Sequence, residues 1–147
     1  MIVIILLIGG FFALTKINKN SPHLTLYFLD TCPHCIIVED FIKQNNIDGK
    51  LKIEKKAIYH DVTIRQTLED EINKEKDKSK ISQLKQELAK EQALIKIAED
   101  NSNELGSIAA KCKIDKNNIG VPFLWDGEKC YTGDKDIIAF FKQKAGI

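Results

Sequence analysis

With 147 residues, 22 of them basic and 21 acidic, the chain is nearly neutral and long enough for one domain with a real core. It has no basic block, no glycine-rich phosphate loop and no array of stacking aromatics, which argues against nucleic acid as a partner. Its cysteines, Cys32, Cys35, Cys112 and Cys130, are too few for a disulfide-dense scaffold and enough for one reactive pair plus one further pair.

Residues 1–15 are an apolar segment, with no charged or polar side chain from Met1 to Leu14. A spanning helix needs about 20 apolar residues, so this one is short. It reads as an uncleaved anchor helix, lengthened by Thr15 and the stems of Lys16 and Lys19, as a secretory signal, or as a buried element of the domain. Lys16 and Lys19 pull toward the cytoplasm by the positive-inside rule. The dithiol chemistry described below pulls toward an oxidising compartment. On balance the sequence predicts a membrane-anchored or exported protein facing the extracytoplasmic side. Residues 16–23, broken by Pro22, form a linker, and 24–147 form the domain.

Leu24–Leu29 is apolar on both faces and predicts a central strand covered by helices on both sides. Pro33 to about Asn45 predicts a helix with Ile37, Val38, Phe41 and Ile42 turned inward. Leu51–Ile58 alternates as a second, partly exposed strand, so the three elements make a right-handed βαβ unit with parallel strands. Residues 61–101 contain no glycine or proline and must be helical. The stripe Ile64, Leu68, Ile72 falls out of register with Ile81, Leu84, Leu88, Ile95, Ala98 across the charged stretch 74–80. That favours a helical hairpin, with Ser79 capping its second arm, over one long helix. The hairpin is either a binding arm over the active site or a solvated excursion that packs on itself. Asn103–Cys112 reads as a separate short helix, and Lys113–Gly120 as a loop. Pro122–Trp125 and Glu128–Thr132 read as a hairpin about Asp126-Gly127, and Asp134–Lys144 as a final helix with Ile137, Ile138, Phe140 and Phe141 inside.

The chemistry centres on Cys32-Pro33-His34-Cys35, which stands between the first strand and the first helix. That is where a redox dithiol belongs. Pro33 suits the first helical position, where its missing N–H has no intrahelical partner. The positive end of the helix and the tuning residues Pro33 and His34 should stabilise a thiolate on Cys32 and make the pair oxidising. Cys32 is the candidate nucleophile and Cys35 the resolving thiol. A four-thiolate zinc site and a purely structural Cys32–Cys35 bond are the competing readings. His34 alternatively reads as a solvated or metal-binding histidine, and His23 and His60 read as surface residues.

This motif, with Val121-Pro122 far downstream, resembles the thioredoxin/glutaredoxin superfamily. The Pro-His dipeptide is similar to the disulfide-bond oxidases of the Dsb type, and the element order is similar to glutaredoxin. The resemblance covers residues 24–60 and 104–146. It implies an α/β, thioredoxin-like fold, βαβ-α-ββα with a four-stranded mixed sheet, to which this chain adds a helical insertion at 61–101 and an N-terminal hydrophobic helix. It implies a cis peptide at Pro122, leaving the Val121 backbone free to bind an extended substrate segment. Dsb-type oxidases also carry a helical insertion in this region of the fold. Gly133-Asp134 resembles half of glutaredoxin's glutathione-carboxylate site. The chain departs from that pattern with Thr132 for the first glycine and Asp30-Thr31 for the usual basic residue, and the same residues also read as a turn and helix cap. No metal and no cofactor is expected, and those departures argue against glutathione.

Cys112 and Cys130 flank the Pro122 segment. They are a second disulfide if the hairpin folds back on the helix, two separate buried thiols, or an electron relay. The activity implied is thiol–disulfide exchange on protein substrates, in the oxidase or isomerase direction, with a membrane oxidoreductase recycling the pair. A glutaredoxin-type reductase and a metal-binding or partner-adaptor module are the alternatives.

Overall fold

The computed structural model describes residues 23–147. The anchor or signal reading of residues 1–15, its helix included, and most of the 16–23 linker lie outside them. Among the described residues no helix is long and apolar enough to cross a membrane. The domain is α/β, with a four-stranded mixed sheet.

Strand β1 (Leu24–Phe28) lies inside the sheet, whose order is β2-β1-β3-β4. It runs parallel to β2 (Ile53–Ala57), with Leu24 opposite Ile53 and Phe28 opposite Ala57. It runs antiparallel to β3 (Phe123–Trp125), which pairs antiparallel with β4 (Cys130–Thr132). Side chains alternate across a strand, so β1 serves two cores. Leu24 and Leu26 pack with Leu124, with Val38 and Ile42 of α1 (Pro33–Gln44), and with Ile137, Phe140 and Phe141 of α4 (Gly133–Ala145). Tyr27 and Phe123 face the other way, onto Leu105, Ile108 and Ala109. Burying one such large side chain contributes about 1.5–3 kcal/mol, so both layers hold the ends of β1 and β3 in place, and those ends carry the candidate site.

Helix α1 shows one correction. Ile37, expected inside, is 46% exposed, while Cys35 at 2% takes an inner position with Val38 and Ile42. The inward line runs 35, 38, 42 because the helix starts at Pro33 with Cys35 already against the sheet.

The insertion is a hairpin of α2 (Thr63–Lys74) and α3 (Lys78–Lys111). The cap of the second arm is Asp77 and not Ser79: the Asp77 carboxylate accepts from the backbone N–H groups of Ser79 and Lys80. Such a cap is worth about 1 kcal/mol. The predicted short helix at 103–112 is not separate. Helix α3 runs unbroken for 34 residues, because its buried line Leu84, Ala98, Leu105, Ile108 keeps one period throughout. Gly106 is tolerated within it at a cost of about 1 kcal/mol. Ile64, read as part of the inner stripe, is 51% exposed.

Helix α3 lies antiparallel to β2. Lys56 Nζ donates to Glu104 at 2.6 Å, and Asn101 Nδ2 donates to the carbonyl of Ala57, the last residue of β2, at 2.8 Å. Residues 78–100 therefore extend past the end of the sheet at which β1 and β2 finish. At 1.5 Å per residue that arm is roughly 35 Å long. His60 is not simply a surface residue: its Nε2 is 2.7 Å from Glu91 of α3, both half-buried, which fastens the base of the arm. His23 is exposed, 3.4 Å from Glu54.

Candidate functional site

β1 finishes at Phe28, and the chain turns through Leu29, Asp30 and Thr31, with Cys32 N–H donating to Leu29 O at 3.2 Å. Cys32 occupies the N-cap of α1 in extended conformation, with Pro33 as the first helical residue and no side chain capping the helix. The first helical bond runs from Ile36 N–H to Cys32 O at 3.0 Å. The N–H groups of His34 and Cys35 thus lie ahead of the intrahelical ladder, at the positive end of α1.

The two sulfurs sit in different surroundings. Cys32 is half-exposed and Cys35 buried, both as free cysteines. Burial pushes the Cys35 thiol up to about 12, against the pull of the Leu29 backbone, with the Cys32 side chain and the Glu39 charge adding to the rise. Cys32 Sγ donates to Val121 O at 3.5 Å, and the Val121–Pro122 peptide is cis. Val121 and Cys32 are brought together because β3, antiparallel to β1, begins at the end where β1 stops.

Gly133 opens α4 with φ +79°, a conformation that favours glycine, and donates its N–H to Pro122 O at 3.0 Å. Asp134 follows in the first turn of α4, with its Oδ1 3.2 Å from His34 Nδ1. The pair read as a possible thiol-ligand site is therefore engaged within the chain, Gly133 with the Pro122 segment and Asp134 with the dithiol motif.

Behind Cys35 lies a cavity of about 260 Å³ lined by Phe28, Cys35, Ile36, Glu39, Lys43 and Lys55. That is room for ordered water where polar partners exist. Glu39 Oε2 accepts from Lys55 Nζ at 3.1 Å, and Asp48 accepts from the same ammonium at 2.9 Å. Burial pulls the Lys55 ammonium down, but the bonds to Asp48 and Glu39 outweigh it, so its pKa ends above the ordinary lysine value. The second oxygen, Glu39 Oε1, is buried with no hydrogen-bond partner among the described residues. Neither residue was singled out from the sequence. The only signal is that Glu39 stands four positions after Cys35, one helical turn along the same face.

Cys112 at the end of α3 is bonded to Cys130 of β4, with Cα atoms 6.2 Å apart. This removes the reading of two separate thiols. Comparison of the chain with protein-family models, with curated proteins and with solved structures finds no match.

Proposed function

We propose that the chain is a thiol:disulfide oxidoreductase of thioredoxin-like fold that transfers the Cys32–Cys35 disulfide to protein thiols at an exported or membrane-tethered location. The observation that carries this reading is the pairing of a half-exposed Cys32 with a buried Cys35 at the start of α1, beside the cis Val121–Pro122 peptide. The Cys112–Cys130 bond supports an oxidising compartment, where structural disulfides persist. The apolar residues 1–15 supply the export signal or anchor.

The exchange begins from the oxidised pair. A substrate thiolate attacks Cys32 Sγ, the Cys32–Cys35 bond breaks, and its electron pair leaves on Cys35 sulfur. Burial favours the neutral thiol, so Cys35 takes up a proton as it leaves. A second substrate thiolate then attacks the substrate sulfur of the mixed disulfide and releases Cys32. The substrate is oxidised by two electrons and the protein pair is reduced. Reoxidation falls to a membrane oxidoreductase that accepts those electrons. The backbone of Val121 pairs with the extended segment carrying the substrate cysteine.

Glu39 handles the Cys35 proton. Glu39 and Cys35 line the same cavity, and the buried Oε1 of Glu39 has no hydrogen-bond partner among the described residues. Glu39→Gln should slow the attack of Cys35 on a mixed disulfide preformed at Cys32, on the order of 10²-fold for lost general acid–base assistance. The measurement is quenched-flow release of a chromogenic thiol, and an unchanged rate would remove Glu39 from the mechanism.

The test of the reading as a whole is the reduction potential of the Cys32–Cys35 pair on the full chain, equilibrated in glutathione buffers. A value from about −120 to −180 mV supports an oxidase or isomerase, whereas about −230 to −270 mV marks a reductase. Absence of reversible dithiol chemistry, with stoichiometric metal in the purified protein, would replace both by a metal-binding module.

A further inference from the structure

We propose that Asp134 is a positioning residue for the dithiol, holding the His34 imidazole away from Cys32 so that the pair is less oxidising than its Cys-Pro-His-Cys motif would otherwise be. This rests on the redox reading above and assigns a residue outside the motif to the control of its potential.

The argument starts from the hydrogen bonds. An ionised carboxylate is an acceptor only, so in the 3.2 Å contact with Asp134 Oδ1 the proton lies on His34 Nδ1. The histidine gives that donor to α4, while the Cys32 thiol turns to Val121 O. The position of Asp134 is in turn fixed. It is the second residue of α4, its side chain is only 20% exposed, and Gly133 before it is tied to Pro122 O. Asp134 is thus joined on one side to the segment that faces Cys32 and on the other to the residue two positions after Cys32.

The consequence for the thiolate is that the donor able to stabilise it is spent elsewhere. That favours the disulfide over the reduced pair, which lowers the potential. The histidine is 65% exposed, so solvent screens the effect and a change of a few fold is the scale to expect.

The experiment equilibrates the full-length protein with reduced and oxidised glutathione at pH 8, where an ordinary histidine is mostly neutral. The reaction converts protein disulfide and two glutathione thiols into protein dithiol and one glutathione disulfide, and thiol alkylation reads the product. Asp134→Ala, which removes the acceptor for His34, should raise the equilibrium constant at least threefold, equivalent to about 14 mV at 29.6 mV per decade. Asp134→Glu should restore the wild-type value. In a His34→Ala background the same Ala substitution should have no effect. An unshifted constant in the single variant overturns the proposal. An equal shift in both backgrounds also overturns it, since the charge would then act without the histidine. If the wild-type pair fails to equilibrate at all, the redox reading falls first and this assignment with it.

Discussion

Cys35→Ser is expected to convert the protein into a trap that stays covalently bound to its substrates through Cys32. Cys32 remains half-exposed at the N-terminus of α1 and can still attack a substrate disulfide, but the serine hydroxyl behind it cannot attack the resulting mixed disulfide. Non-reducing electrophoresis should show adducts that dithiothreitol releases. Cys32→Ser should show none and should reduce exchange to the uncatalysed background, because the remaining thiol, Cys35, is 2% exposed and its pKa is pushed up to about 12. A Cys32→Ser protein that still forms adducts would move the chemistry to Cys112–Cys130 and revive the relay reading of that pair.

Removing the second disulfide, with Cys112→Ala and Cys130→Ala together, should cost stability and leave thiol exchange in place. The bond closes a loop of 18 residues. The chain-entropy relation assigns such a cross-link about 3 kcal/mol, through the freedom it denies the unfolded chain. For a domain of this size that lowers Tm by about 10 °C. The bond fastens the C-terminus of α3 to the outer strand β4, and the loop between them carries Val121 and Pro122. Thermal unfolding by circular dichroism, with exchange measured at 25 °C on the same samples, separates the two roles. An unchanged Tm would end the structural reading, and loss of exchange in a folded variant would make the bond part of the reaction.

Much of the fold was legible because its signals are local. The apolar run at 24–29, the alternation at 51–58 and the glycine- and proline-free stretch at 61–101 each report the geometry of one element over one window. The α/β domain with a four-stranded mixed sheet was implied by the resemblance of the motif and the element order, and the charged stretch 74–80 marked the turn between α2 and α3. Misreadings arose where a local cue was mistaken for a boundary. Residues 103–112 read as a helix of their own, but the heptad line through Leu84, Ala98 and Leu105 carries α3 straight into them. Ser79 is a good cap residue, yet Asp77 stands where the capped N–H groups point. Ile37 and Ile64 fit an apolar stripe and still face solvent, since periodicity finds a face only to within a residue on either side.

By itself the sequence determined which residues can carry the chemistry. The two-residue spacing of Cys32 and Cys35 at the junction of a strand and a helix sets them on one helical turn, whatever the rest of the chain does. Only the tertiary structure decided what surrounds them. Glu39 meets Lys55 across 16 residues, Cys112 meets Cys130 across 18, His60 meets Glu91 across 31, and His34 meets Asp134 across 100. Hydrophobic patterning specifies which face of an element is buried. It carries no information about which polar group on one element stands opposite which on another, because that depends on the crossing of β1 with β3 and on the landing of α4 beside α1. Those pairings were made by packing, around a cysteine pair that the sequence could only locate.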